Sequence, residues 1–115
     1  MQITREFKFE AAHKLLRYDG PCENLHGHSY VLHVSIEGEV DKNGFVMDFG
    51  ELKIIVENHV ISKLDHGYLN KKIKQPTAEN IVIWIWERLI EAKFPVCELK
   101  LWETSGGFVT YRGER

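Results

Sequence analysis

Apolar and polar residues alternate from Gln2 to His13: Ile3, Phe7, Phe9 and Ala11 fall on one face, Thr4, Glu6, Lys8 and Glu10 on the other. Successive side chains of a strand point to opposite faces, so this pattern predicts a half-buried strand, and His13 shares the parity of the apolar set. A second alternation through Tyr30, Leu32, Val34 and Ile36 predicts a strand at about 26–38. Extended backwards, its parity lands on His28 and His26. The stretch between the two strands is irregular, with a turn signal at Asp19-Gly20-Pro21. After a loop at Asp41-Lys42-Asn43-Gly44, whose Asn-Gly pair suits positive φ, the period changes. Asp48, with Glu51 three residues on, opens a helix of about 49–63 as a capping-box variant. Its stripe is Leu52, Ile55, Val56, His59 and Val60. Thr77 caps a second helix with the stripe Ile81, Trp84, Ile85, Arg88, Leu89 and Ala92, which Pro95 ends. Strands at about 97–104 and 108–112 follow, joined through Ser105-Gly106-Gly107.

The order strand pair, helix pair, strand pair, with no repeat or linker, predicts one α+β domain over residues 1–115. Its expected form is an antiparallel four-stranded sheet with two helices on one face (ββααββ). Such a sheet leaves two edges and one face uncovered, and closing the edges against further copies predicts a homo-oligomer. Composition narrows the function classes. Of 115 residues, 43% are hydrophobic and 28% charged, and the net charge is −2 with the bases scattered, so no nucleic-acid partner is expected. No apolar run approaches the roughly 20 residues of a membrane span, and the first residues lack a signal-peptide core, so the expected location is the cytoplasm. Two cysteines, Cys22 and Cys97, make no disulfide framework.

The six histidines carry the chemistry. His26 and His28 lie two apart on a strand and point to the same side, with Gly27 between them removing bulk, and His13 ends the neighbouring strand in matching parity. Zinc needs three or four nitrogen or thiolate ligands at about 2.0–2.3 Å, and three histidines with no evident fourth ligand predict an open coordination position. His59 reads instead as a satisfied core histidine and His33 as a surface one. Glu103 shares the inward parity of Leu99 and Leu101, and a charge there needs a partner. Cys22 is either a bland loop cysteine or a base, and Asp65-His66 either a helix-end turn or a proton-relaying pair. Glu79 needs no reading beyond the dipole of its helix, and Trp84 and Trp86 read as packing.

Six segments in order and spacing resemble the 6-pyruvoyltetrahydropterin synthase and 6-carboxytetrahydropterin synthase family. They are Phe9-Glu10-Ala11-Ala12-His13, Cys22-x3-His26-Gly27-His28, Val46-Met47-Asp48-Phe49, Leu64-Asp65-His66, Pro76-Thr77-x-Glu79-Asn80 and Trp102-Glu103-Thr104. The resemblance implies the tunnelling fold, in which such units form trimers and hexamers around a barrel of strands with active sites between subunits. It implies 7,8-dihydroneopterin triphosphate as substrate, Zn²⁺ on His13, His26 and His28, and Cys22, Asp65 and His66 as catalytic groups. Glu103 would anchor the pterin, and Thr77 would serve binding besides its helix.

The three residues between Cys22 and His26 resemble the 6-carboxytetrahydropterin synthases, whereas the animal 6-pyruvoyl enzymes have five. That implies a lyase releasing acetaldehyde and triphosphate and giving 6-carboxy-5,6,7,8-tetrahydropterin, on the route to queuosine. Glu23, directly after the cysteine, resembles members that cleave dihydroneopterin to 6-hydroxymethyl-dihydropterin for folate, so a dual activity stays open beside a solvated loop residue. The 6-pyruvoyl reaction, hydrolysis of a cyclic pterin or purine nucleotide, and a zinc-stabilised assembly module without turnover are the remaining alternatives. Arg5, Lys14, Arg17 and Lys71 are candidates for the triphosphate by position only. The chain departs from the family pattern at Ser105-Gly106-Gly107-Phe108.

Overall fold

Both amino-terminal alternations become long strands. The computed structural model describes residues 1–16 and 25–114. Strands β1 (Gln2–His13) and β2 (His26–Glu37) pair antiparallel along their whole length, from Gln2↔Glu37 to His13↔His26. Phe7, Phe9 and Ala11 of β1 and Tyr30, Leu32, Val34 and Ile36 of β2 are buried on one face. That burial fixes the register, because a one-residue slip would turn every one of them to the open face. Each fully buried Leu or Phe contributes about 1.5–3 kcal/mol.

The sheet has five strands, not four. Its order is β3 (Gly67–Tyr68), β1, β2, β4 (Val96–Thr104) and β5 (Gly107–Tyr111). The added strand β3 is two residues long and runs parallel to Ala11 and Ala12; two residues hold no periodicity to read. The β2–β4 and β4–β5 pairings are antiparallel, and the sheet is open, with β3 and β5 at its ends.

Helix α1 (Phe49–Val56) continues through a π-helical turn (Glu57–Ile61) into α2 (Ser62–Leu64). Asp48 caps it through Gly50 N–H at 2.6 Å, the second helical amide and not the third that a capping box would take. The wider π turn corrects the expected stripe. Leu52, Val56, Val60 and Leu64, each four apart, are all buried, whereas His59 is exposed and is no core histidine. An α-helix turns 3.6 residues per turn, so a strict spacing of four drifts off the sheet unless one turn widens.

Thr77 caps helix α3 (Ala78–Glu91) by accepting Asn80 N–H at 3.2 Å. Ile81, Val82, Ile85 and Leu89 are its buried side chains. Trp84 and Arg88, expected on the stripe, lie at its margin with the guanidinium 5.1 Å from the indole centroid. The other indole, Trp86, packs edge-on against Tyr111 at 5.3 Å. Gly44 has φ 94°, as the Asn-Gly loop requires. No helix among the described residues is long and apolar enough to cross a membrane.

Candidate metal centre

The β1–β2 ladder ends on a pair of histidines, so His13 and His26 are cross-strand neighbours, and His28 lies two residues inward on the same face. Their rings stand edge to edge, with centroids 4.5–5.0 Å apart and interplanar angles of 70–87°. His13 Nε2 and His26 Nε2 face each other at 2.9 Å. Beneath them Tyr30 stacks on Phe9 at 4.9 Å, which makes a rigid apolar floor. His13 has no exposed surface, and its Nδ1 donates to the Pro76 carbonyl at 2.7 Å. A carbonyl can only accept, so this bond puts the His13 proton on Nδ1 and leaves the Nε2 lone pair facing the cluster.

A fourth group joins them. Glu103 Oε1 lies 2.9 Å from His28 Nε2 and 3.7 Å from His13 Nε2, so a carboxylate borders the three histidines where their spacing alone showed no further group. Pairing of β2 with β4 ends at Val31↔Trp102, so Glu103 sits one step beyond, on the face of His28. The β4–β5 register shifts between Trp102 and Thr104, so Glu103 is the extra residue of a bulge and has no partner across on β5.

One ligand atom from each of His13, His26, His28 and Glu103 falls within 4.8 Å of the others, so the group can hold a metal ion. Nitrogens at about 2.05 Å from one tetrahedral ion lie roughly 3.3 Å apart, and the Nε2 atoms of His13 and His26 stand at 2.9 Å. His28 Nε2 is the atom that fits the test best. It is buried and makes no hydrogen bond, because the close Glu103 oxygen is not aligned with it. Burial, then the charges of His13 and His26, outweighs Glu103 and holds the His28 imidazole below its usual pKa, which favours the neutral form that a metal requires.

A family model described as 6-pyruvoyl tetrahydropterin synthase matches residues 2–114. The chain belongs to this family. A dihydroneopterin monophosphate aldolase of Pyrococcus furiosus is 44% identical over 89% of the chain and 89% of its own length. A 6-carboxy-5,6,7,8-tetrahydropterin synthase of Haemophilus influenzae is 33% identical over 96% of the chain and 98% of its own length. The structure of Caenorhabditis elegans 6-pyruvoyl tetrahydropterin synthase superposes with a TM-score of 0.88 at 29% identity, over 99% of this chain and 96% of that one. The chain is therefore similar to enzymes of pterin chemistry whose names carry different reactions.

In this member of the 6-pyruvoyl tetrahydropterin synthase family, the remaining expected site residues are spread. Cys22 and Glu23, with Arg17, lie outside the described residues. Asp65 and His66 are adjacent but loosely joined: His66 Nε2 is 3.6 Å from Asp65 Oδ2, and the imidazole side chain is 80% exposed. The other Asp65 oxygen accepts Glu10 N–H at 2.9 Å, so this carboxylate also ties the helix end to β1. His66 has φ 57°, an uncommon value for a residue with a Cβ, and lines one pocket together with Gly27 and His28. Arg5 donates to the Phe49 carbonyl at 3.2 Å, whereas Lys14 and Lys71 are exposed. Sequence reasoning missed the place of Glu103 among the imidazoles and the Pro76 carbonyl. The parity of Glu103 with Leu99 and Leu101 was the available signal, and it needed the β2–β4 adjacency to be used.

Proposed function

We propose that the whole chain works as one pterin-synthase domain that converts 7,8-dihydroneopterin triphosphate to 6-carboxy-5,6,7,8-tetrahydropterin, releasing acetaldehyde and triphosphate, with Zn²⁺ on His13, His26 and His28. The observation that carries this reading is the convergence of three imidazoles with a buried, unbonded Nε2 at one rim of the sheet. Zinc held there supplies Lewis-acid polarisation of the substrate's side-chain oxygens. Cys22, four residues before His26, acts as the thiolate base or its conjugate acid. His66 exchanges protons with solvent or substrate, with Asp65 beside it to orient the imidazole.

Glu103 is part-exposed at 24%, so a pterin can reach it, and its two oxygens match the ring N–H and NH₂ donors as a bidentate acceptor. Thr77 uses its oxygen lone pair on Asn80 N–H and keeps its O–H free to donate to the pterin. The exposure of His66 suits a relay serving a site shared with a neighbouring copy, in a trimer or hexamer that closes the open sheet into a barrel.

The test is incubation of zinc-loaded protein with dihydroneopterin triphosphate and mass analysis of the products. Formation of 6-carboxytetrahydropterin with acetaldehyde supports the reading; a folded, zinc-loaded protein that leaves the substrate intact sinks it. A second reading has its own support in Glu23, directly after Cys22, and in the 44% identity to an aldolase acting on dihydroneopterin monophosphate. On that reading the Glu23 carboxylate deprotonates a side-chain hydroxyl, and cleavage gives 6-hydroxymethyl-dihydropterin. Glu23→Ala should then abolish this product and spare the carboxy product; unchanged hydroxymethyl output rejects it.

A further inference from the structure

Backbone pairing between β1 and β3 covers only Ala11 and Ala12, yet the chain after His13 stays held. Asn70 Oδ1 accepts Lys14 N–H at 2.9 Å, and Asn70 Nδ2 donates to the Lys14 carbonyl at 2.8 Å. Gln75 repeats the arrangement at Leu16, with bonds of 2.7 and 2.8 Å. Residues two apart on an extended chain present their N–H and C=O to the same edge. The two carboxamides therefore continue the ladder where strand pairing stops. At its start, Glu10 is satisfied by Asp65 Oδ1 and by His66 N–H, so one segment, residues 65–75, serves the outer edge of β1 at Glu10 and of the extended chain beyond it at Lys14 and Leu16.

This segment leads into the metal centre. Gln75 is itself fixed, because its carbonyl accepts Asn80 Nδ2 at 2.9 Å and Thr77 N–H at 2.9 Å. The next residue, Pro76, gives its carbonyl to His13 Nδ1 across 63 residues of sequence. His13 ends β1, where a strand would otherwise fray, and the two clamps fall one and three residues beyond it. A carboxamide carries a donor and an acceptor side by side, as a backbone N–H and C=O require; a carboxylate in the same place keeps the acceptor and sets an oxygen against the carbonyl.

We propose that Asn70 and Gln75 are positioning residues of the metal centre. Their clamps hold the chain beyond His13 on the segment that supplies the Pro76 carbonyl, and so fix the direction in which His13 Nε2 presents its lone pair. The inference rests on the metal-centre reading of the histidine cluster and not on which pterin is cleaved.

The experiment measures the Zn²⁺ dissociation constant of the full chain by competition with a chromophoric chelator, beside the melting temperature of the metal-free protein. Asn70→Asp and Gln75→Glu, singly and together, should weaken zinc binding more than twofold, toward the about 10–100-fold that loss of a direct partner behind a metal ligand costs. The visible spectrum of the cobalt-loaded variants should change with it. Ile36→Val, at the far end of β2, lowers the melting temperature without touching the clamps and should leave the dissociation constant unchanged. Should the double variant fail to fold, the two single variants decide. Zinc binding within twofold of wild type in the folded variants overturns the inference, as does an equal loss in Ile36→Val. A wild-type protein that binds no zinc overturns the metal-centre reading and this inference with it.

Discussion

On β2, His28 and His33 each have a glutamate oxygen 2.9 Å from Nε2: Glu103 for the first and Glu6 for the second. The His33 pair lies on the open face of the sheet and forms a hydrogen bond, with the imidazole against the Trp102 ring and Glu6 51% exposed. Water screens such a pair, and its expected worth is about 0–1 kcal/mol. The His28 pair lies on the helix-covered face, has no hydrogen-bond alignment, and shares its space with two further imidazoles. Equal distances thus mark a surface contact in one place and a donor set in the other. What separates them is the number of lone pairs meeting at a point and the water excluded from it.

The largest effect that sharpens this contrast is loss of a ligand. His28→Ala should remove bound zinc and lower pterin turnover by at least about 10³-fold, whereas His33→Ala should leave both within about twofold; metal analysis and product assay decide. If His33→Ala cost as much, the two faces would not differ in the way described. Between the two pairs, Leu32 is fully buried, and Leu32→Ala should destabilise the fold by about 2–5 kcal/mol in denaturant titration. Glu103→Gln should reduce turnover by about 10²-fold with stability nearly kept, and Glu6→Gln should leave turnover unchanged.

The smallest effect is in pH. His28 is held below its usual value first by burial, so between its folded and unfolded values the unfolded chain binds the extra proton. Its contribution to stability is complete above about pH 6.5 and is lost as the pH falls through the folded value. Metal-free wild type should therefore lose more melting temperature between about pH 8 and pH 5.5 than His28→Gln does; parallel curves would refute this.

Much of the frame was legible because one repeating pattern carried it. The ends of β1 and β2, the Thr77 cap and the inward parity of the three site histidines all follow from alternation or from side chains that act on near neighbours. What escaped was set by contacts far apart in sequence. The two residues of β3 pair with β1 just after His66 turns the chain at φ 57°, a contact between segments far apart in sequence. Glu103 reaches the histidines through the β2–β4 pairing, which no local spacing encodes. His59 was misplaced because a π turn changes the phase of its helix, and an apolar stripe read at 3.6 residues per turn assumes a constant phase. Asn70 and Gln75 look like ordinary loop residues until the backbone groups they serve are known.

The bulge at Glu103 adds a constraint on insertions and deletions. Ser105-Gly106 joins β4 to β5, and all four residues from Ser105 to Phe108 are exposed. A side chain added at Gly106 or Gly107 meets open space, whereas Phe108 is held by stacking on Trp102 at 4.6 Å. Length is another matter, because removing one residue from this hairpin would let the ladder run through and give Glu103 a neighbour on β5. The residue count of this turn, more than its Ser-Gly composition, is tied to the aim of a carboxylate.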